Sequence, residues 1–141
     1  MDVLLDLQVT SKQQLFDSIG SHVARIGGVP AHSTVAALLR RESAGSTAVG
    51  LGVAIPHARI KGIDHVRALY IRLKSPLDFD APDGSPVGDV FVLLVPDPAT
   101  EVHLEILALT ASLFSNQAFR GELHGCQNSE QVKSLFDRWG Q

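Results

Sequence analysis

Residues Val90 to Val95 form an uninterrupted apolar run that ends at Pro96, and this run constrains the fold more than any other segment. A strand that faces solvent on one side alternates apolar and polar residues, whereas a strand covered on both faces is continuously apolar. The run is far shorter than the roughly 20 residues that span a membrane. We therefore predict a central strand buried on both faces.

Two helices are predicted before the first strands. Ser11 and Gln14 have the spacing of a capping box, and apolar residues recur behind them at helical intervals until Gly27. The same reasoning predicts a second helix, with Ser33 as its cap and Glu42 in its last turn. A glycine-rich stretch follows this second helix.

Two further helices are predicted in the last third of the chain. Thr100 is expected to cap a long helix, and Asn128 to start the final one. The apolar residues of the long helix are Leu104, Ile106, Leu107, Leu109, Leu113 and Phe114. They form so wide a stripe that most of the circumference of this helix is predicted to be covered.

Short strands are predicted between these helices. Val53–Ile55 ends at Pro56, residues 65–73 are rich in β-branched and aromatic side chains, and Pro82–Gly84 marks a turn. Helices at both ends of the chain around interior strands imply the α/β class. We predict one domain over residues 1–141, a single-domain α/β sandwich whose mixed central sheet of about five strands is covered by helices on both faces.

The charge balance argues against nucleic acid as the main ligand. The chain has 12 Lys and Arg against 15 Asp and Glu, a formal net charge of −3, whereas proteins that bind a phosphate backbone need a clustered positive surface. No segment is long enough for membrane insertion. Cys126 is the single cysteine, which excludes a disulfide within the chain and favours a cytoplasmic location.

Sequence motifs for nucleotide and metal sites are missing. Gly50 and Gly52 lack the third glycine of a dinucleotide fingerprint, and no glycine loop leads to a Walker lysine. Neither a His-Glu-x-x-His motif nor paired Cys-x-x-Cys spacing occurs. The sequence therefore predicts no cofactor and no metal.

Among the six histidines, His57 has the most distinctive setting. It follows Pro56 at the abrupt end of an apolar strand, where the fixed φ of proline limits the direction of the next side chain. Imidazole titrates near neutral pH, so this setting suits a nucleophile, although Pro-His also occurs in ordinary loops. A surface or structural role is predicted for His22, His32, His65 and His124.

Four other residues are candidates for binding an anion. His103 falls in the first turn of the long helix, where free N–H groups favour negative charge, but it could equally close the helix start. Arg41 could serve a ligand or simply complement the end of the second helix. Ser46 and Thr47 could donate to a phosphoryl group, or form an ordinary turn.

Residues 41–57 resemble the signature of the enzyme IIA domains, fructose/mannitol type, of the bacterial phosphoenolpyruvate phosphotransferase system. The resemblance continues through residues 79–87, 93–96 and 103–107, so it covers nearly the whole chain. The phrases Phe-Asp-Ala-Pro-Asp-Gly and Leu-Leu-Val-Pro in these segments are most similar to the nitrogen-regulatory branch, whose members are stand-alone phosphocarriers.

The resemblance implies that His57 accepts a phosphoryl group at Nε2 from a phosphohistidine on a small carrier protein of the HPr or nitrogen-HPr kind. The other ring nitrogen should donate to a backbone carbonyl or similar group that fixes the tautomer. The residues expected to surround the phosphoryl oxygens are Arg41, Ser46, Thr47 and His103. Positioning and charge stabilisation by such groups provide most of the catalysis of phosphoryl transfer.

The nitrogen-regulatory branch also implies that the phosphorylation state of His57 controls binding to target proteins, such as potassium-transport components or sensor kinases. The alternative is a sugar-specific enzyme IIA that passes its phosphoryl group to a separate enzyme IIB for fructose- or mannitol-type uptake. A third interpretation, a binding module that has lost phosphotransfer, is disfavoured because His57, Arg41 and His103 are all present.

The sequence departs from the family pattern at two positions. Ala58 follows the Pro-His pair where the family usually has glycine, and Leu51 lies between two glycines where asparagine is common. The Cβ of Ala58 could restrict the backbone beside the nucleophile. Both departures are expected to affect the geometry of the loop more than the chemistry.

Overall fold

A mixed sheet of six strands organises the fold, and the computed structural model describes residues 1–140. The strands are β1 (Asp2–Leu7), β2 (Ala48–Gly50), β3 (Val53–Ala54), β4 (His57–Ile60), β5 (Arg67–Leu77) and β6 (Val87–Pro96). The helices are α1 (Lys12–Ile26), α2 (Ala31–Ser43), α3 (Glu101–Ser115), α4 (Gln117–His124) and α5 (Ser129–Trp139). Within the described range, no helix is long and apolar enough to cross a membrane.

The apolar run lies at the centre of the sheet, in β6. The strand order is β1-β5-β6-β3-β2, and β4 also pairs with β6. Residues 90–94 are all buried, because α1 and α2 pack on one face of the sheet and α3, α4 and α5 on the other. The α/β class, the mixed sheet and the helices on both faces are therefore confirmed.

Strands β3 and β4 follow one another along the same edge of β6, with a break at Ile55 and Pro56. Both pair parallel to β6. Proline cannot donate to a ladder, but the carbonyl of Pro56 accepts from the N–H of Leu93 at 3.0 Å and keeps the register. His57 is thus the first residue of a strand whose position the central strand fixes.

The first helix agrees with its sequence signals, and the second begins earlier than predicted. The Oγ of Ser11 accepts from the N–H of Gln14 at 3.1 Å, as the capping box requires. Helix α2 starts at Ala31 rather than after Ser33, with Pro30 as the N-cap residue. Pro30 sets this boundary because the fixed φ of its ring suits the start of a helix and a proline is not tolerated in the interior of one.

Four elements were not predicted, namely β1, β2, β4 and α4, and one strand is shifted. The strand predicted over residues 65–73 is β5, which begins at Arg67, so His65 precedes it. Strand β1 has two aspartates, Asp2 and Asp6, that obscure its pattern, yet it pairs parallel with β5. Helix α4 follows α3 after Asn116, whose side chain accepts from two N–H groups of the first turn.

The apolar face of α3 is largely uncovered, so the prediction that most of this helix is packed was wrong. Phe114 is its buried residue, whereas Val102, Leu104 and Leu109 are 60%, 64% and 70% exposed. The reason is that α3 lies at the rim of the second core and packs mainly against α4. Exposed apolar faces are common at surfaces that contact another molecule.

Candidate active site

A hydrogen bond to the preceding backbone holds the His57 ring. Its Nδ1 lies 2.9 Å from the carbonyl oxygen of Ile55, and because a carbonyl oxygen can only accept, Nδ1 carries the proton. The neutral ring then has its lone pair on Nε2. This tautomer makes Nε2 the nucleophilic atom of a half-buried histidine.

The Arg41 guanidinium lies directly against that nucleophilic atom. Its Nε–H donates to Nε2 of His57 at 3.3 Å, and its Nη1 donates to the carbonyl oxygen of Gly45 at 2.8 Å. Arginine only donates, so this contact requires the same tautomer that the Ile55 carbonyl requires. A fixed positive charge therefore lies where a phosphoryl group on Nε2 would place its oxygens.

His103 has the opposite proton arrangement at the same site. It lies in the first turn of α3, and its Nδ1 accepts from the backbone N–H of Thr100 at 3.0 Å. In the neutral ring the proton is then on Nε2, which makes that atom a donor. The start of α3 thus supplies a hydrogen-bond donor and the positive end of a helix dipole.

One cavity brings these three side chains together. Its volume is about 440 Å³. The lining residues outside the charged group are mostly apolar and include Ala37, Leu93, Val95, Leu104 and Leu107. Apolar walls limit the access of water, which strengthens interactions between the charges in the cavity.

The structure does not bring Ser46 and Thr47 into the lining of this cavity. The Oγ of Ser46 donates to the carbonyl of Phe79 and accepts from the N–H of Ala48. The Oγ1 of Thr47 donates to the carboxylate of Glu42 at 2.6 Å. Both hydroxyls are therefore engaged in hydrogen bonds that tie the loop after α2 to other parts of the protein.

Glu42 is the functional candidate that the sequence reasoning did not single out. Its side chain is 7% exposed and forms an ion pair with Lys12. A signal was available, because an acidic residue in the last turn of a helix opposes the dipole and so requires another reason to be there.

The remaining histidines have structural or surface settings. Nε2 of His22 pairs with Asp2 at 3.1 Å, and Nε2 of His124 pairs with Asp89 at 2.6 Å. His65 is exposed. Among residues 1–140, no group of three or more His, Cys, Asp or Glu side chains is arranged to hold a metal ion.

The two departures from the family pattern have different structural consequences. Ala58 is buried in β4, pairs with Leu94, and has no positive φ, so its Cβ does not strain the backbone beside the nucleophile. Leu51 has φ 61° in the turn between β2 and β3, a conformation that branched side chains rarely adopt. The expected effect on the loop therefore falls on Leu51.

Replacing Leu51 by asparagine is expected to stabilise the protein by about 1 kcal/mol, because asparagine tolerates the left-handed region. The Leu51 side chain is half exposed, and its N–H bond to Asp83 belongs to the backbone, so little packing is lost. Urea unfolding of the wild type, Leu51→Asn and Leu51→Ala measures the change. Alanine keeps the strain, so equal stability of the two variants would contradict the explanation.

Comparison with known proteins identifies the class to which this fold and site belong. Residues 1–139 match the family model described as phosphoenolpyruvate-dependent sugar phosphotransferase system, EIIA 2. The match covers nearly the whole chain and includes Arg41, His57 and His103. The chain therefore belongs to the EIIA type 2 family of the phosphotransferase system.

Within this family, the chain is similar to nitrogen regulatory proteins. It is 36% identical to that of Bradyrhizobium diazoefficiens, over 95% of this chain and 88% of the relative, and 38% identical to that of Pseudomonas aeruginosa, over 94% and 86%. The crystal structure of nitrogen regulatory protein IIA-Ntr from Neisseria meningitidis has a TM-score of 0.89 and 40% identity, and the alignment covers 94% of this chain and 91% of that one. The predicted similarity to the nitrogen-regulatory branch is confirmed.

The fold extends to more distant relatives. The crystal structure of IIA mannitol from Escherichia coli has a TM-score of 0.77 at 16% identity, and the alignment covers 95% of this chain and 94% of that one. At this level of identity the likeness establishes a shared fold alone.

Proposed function

We propose that this phosphotransferase-system protein accepts a phosphoryl group on Nε2 of His57 from a phosphohistidine carrier of the HPr or nitrogen-HPr kind. One observation carries the proposal: the Ile55 carbonyl and Arg41 fix the tautomer that leaves the lone pair of Nε2 beside a cation and a second donor, His103. A nucleophile, a charge that stabilises the incoming oxygens and a water-poor cavity are what phosphoryl transfer requires.

The transfer exchanges one phosphorus–nitrogen bond for another. The lone pair of His57 Nε2 attacks phosphorus as the bond to the carrier's imidazole breaks, and that imidazole leaves with the electron pair. The proton stays on Nδ1 of His57, which donates to the Ile55 carbonyl throughout. Arg41 then donates to phosphoryl oxygens instead of to the ring, and Nε2–H of His103 can donate to another.

The carrier must cover the cavity for its histidine to reach His57. The exposed apolar part of α3 borders this cavity at Leu104, so a carrier seated there would bury it and exclude water. We therefore assign the start of α3, around Leu104, to the carrier.

Leu104→Asp is expected to raise the carrier concentration needed for half-maximal transfer about tenfold, the cost of losing one important apolar contact. The maximal rate should change little, because Leu104 does not touch the reacting atoms. Leu109→Asp is the matched control: it lies on the same helix and is equally exposed, but does not line the cavity. Initial rates at several carrier concentrations test this. An unchanged half-maximal concentration for Leu104→Asp would remove the carrier from the start of α3, and an equal rise for Leu109→Asp would show that the contact is not specific to the rim of the cavity.

Phosphorylation would also change how the surface binds other proteins. A phosphoryl group adds nearly two negative charges beside the cationic side chains of Arg40, Arg41 and Arg59, which line the cavity. We propose that this charge change regulates binding to cytoplasmic targets, such as potassium-transport components or sensor kinases. The similarity to nitrogen regulatory proteins supports regulation, and transfer to a separate sugar-specific IIB is the second candidate.

The function is tested by incubating the wild type with phosphoenolpyruvate, enzyme I and the carrier. We expect one acid-labile phosphate, located on the peptide that contains His57 by mass spectrometry. A protein that gains no phosphate would refute the phosphocarrier proposal.

A pull-down that compares the phosphorylated and unphosphorylated forms separates the two candidate functions. Targets bound by one form alone support regulation. Recovery of a sugar-specific IIB together with phosphate transfer to it would favour the alternative.

A further inference from the structure

Glu42 occupies a position that is unfavourable for a carboxylate. It lies in the last turn of α2, near the negative end of the helix dipole, and its side chain is almost entirely buried. Burial of a charge costs free energy unless partners compensate for it. Its presence is therefore explained by its contacts.

These contacts use both oxygens of the carboxylate. Oε1 accepts from Oγ1 of Thr47 at 2.6 Å, and Oε2 accepts from the Thr47 N–H at 3.1 Å and from Nζ of Lys12 at 2.9 Å. Glu42 thus anchors the loop of residues 44–47 to the ends of α1 and α2. An amide in its place would present a donor where one of these oxygens now accepts.

The anchored loop is also the support of Arg41. The Gly45 carbonyl, two residues before Thr47, accepts from Nη1 of Arg41 at 2.8 Å, while Nε of the same guanidinium faces Nε2 of His57. Arginine has a long flexible side chain, so a second fixed contact decides how well it is oriented. Among the contacts of the described residues, the loop carbonyl provides it.

His57 itself is held by a different part of the protein. Its strand pairs with β6, and the Pro56 carbonyl is bound by the Leu93 N–H. The Thr47 carbonyl accepts from the Ile55 N–H, but the pairing with β6 remains if the loop moves. Loss of the Glu42 contacts should therefore displace Arg41 and leave the nucleophile in place.

We propose that Glu42 is a positioning residue for phosphoryl transfer, acting through the loop of residues 44–47 on the guanidinium of Arg41. This inference rests on the proposed function of His57. It assigns Glu42 no contact with the phosphoryl group.

A double-mutant cycle tests the proposal by measuring the rate of transfer from the phosphorylated carrier. Glu42→Gln is expected to slow transfer about tenfold in the wild-type background. In the Arg41→Ala background it should slow transfer less than about twofold, because the group through which it acts is gone. The proposal is overturned if Glu42→Gln slows transfer by the same factor in both backgrounds, or if the Glu42→Gln protein accepts phosphate at the wild-type rate.

Two further variants separate positioning from stability. Lys12→Met removes the cation but leaves both Thr47 contacts, so it should lower stability and leave the transfer rate within about twofold of the wild type. Glu42→Asp keeps the charge but is too short for both Thr47 groups, so it should slow transfer even if Glu42→Gln does not fold. Slowing by Lys12→Met equal to that of the Glu42 variants would overturn the proposal. Phosphate acceptance by His57→Ala would instead overturn the proposed function.

Discussion

His57→Ala is expected to abolish phosphoryl acceptance, and Arg41→Ala to slow it about 100-fold. The first variant removes the atom that forms the new bond. The second removes the cation that lies 3.3 Å from that atom, and a charge-assisted hydrogen bond contributes about 1.5–3 kcal/mol. Arg41→Ala keeps the nucleophile, so slow transfer should remain measurable over long incubation.

Matched substitutions elsewhere make this prediction specific. His22→Ala removes a histidine that pairs with Asp2 on the α1 side, and Arg138→Ala removes an exposed arginine of α5. Both should accept phosphate at the wild-type rate. Circular dichroism and thermal unfolding establish that all four variants are folded. Phosphate on folded His57→Ala would show that another residue is the acceptor, and unchanged rates in Arg41→Ala would remove the guanidinium from the site.

The parts of the fold that depend on local pattern could be predicted from the sequence. A continuous apolar run between polar segments indicates a strand covered on both faces, and β6 is that strand. Ser11 marks the start of α1 because a cap is a contact between near neighbours. The setting of His57 after Pro56 was also visible, since the end of an apolar strand at a proline can be recognised in the sequence and the φ of proline is fixed whatever the tertiary structure.

The exposure of α3 could not be predicted in this way. Its apolar residues are the same whether they face a core or another protein, and only the tertiary structure shows that Leu104 borders the cavity of His57. The periodicity therefore predicted the helix correctly but not the exposure of its apolar face.

The orientation of hydroxyl groups likewise lies beyond local pattern. Ser46 and Thr47 were placed near the phosphoryl oxygens by resemblance, but their hydroxyls contact Phe79 and Glu42. Phe79 is 33 residues from Ser46 in the chain. Contacts at such separations arise from the fold as a whole.

A large effect on the stability of the protein is predicted at Asp89, a buried carboxylate that is far from His57 in the chain. The Asp89 side chain is 5% exposed. Its Oδ1 accepts from the Tyr70 hydroxyl at 2.5 Å, and its Oδ2 pairs with Nε2 of His124 at 2.6 Å. Tyr70→Phe leaves the carboxylate without one of these partners and is expected to lower the free energy of unfolding by about 1.5–3 kcal/mol at neutral pH.

The same contact makes this loss depend on pH. Burial, followed by the negative charge of Asp89, raises the pKa of Tyr70 well above its ordinary value of 10.0. The folded protein therefore keeps the proton that the unfolded chain releases above pH 10. The contribution of the hydroxyl to stability is fully present below that pH and declines as the pH rises further. The difference between the wild type and Tyr70→Phe should accordingly shrink in alkaline solution.

Urea unfolding at neutral pH and above pH 10 measures both parts of this prediction. Tyr70 is the single tyrosine of the chain, so tyrosinate absorbance reports this hydroxyl alone, and it should rise only as the protein unfolds. His124→Gln is a useful comparison, because it alters the more exposed partner of Asp89 and leaves the Tyr70 hydroxyl in place. A difference between wild type and Tyr70→Phe that stays constant from neutral to alkaline pH, or tyrosinate formed in the folded protein near pH 10, would mean that the Asp89 contact does not hold the proton on Tyr70.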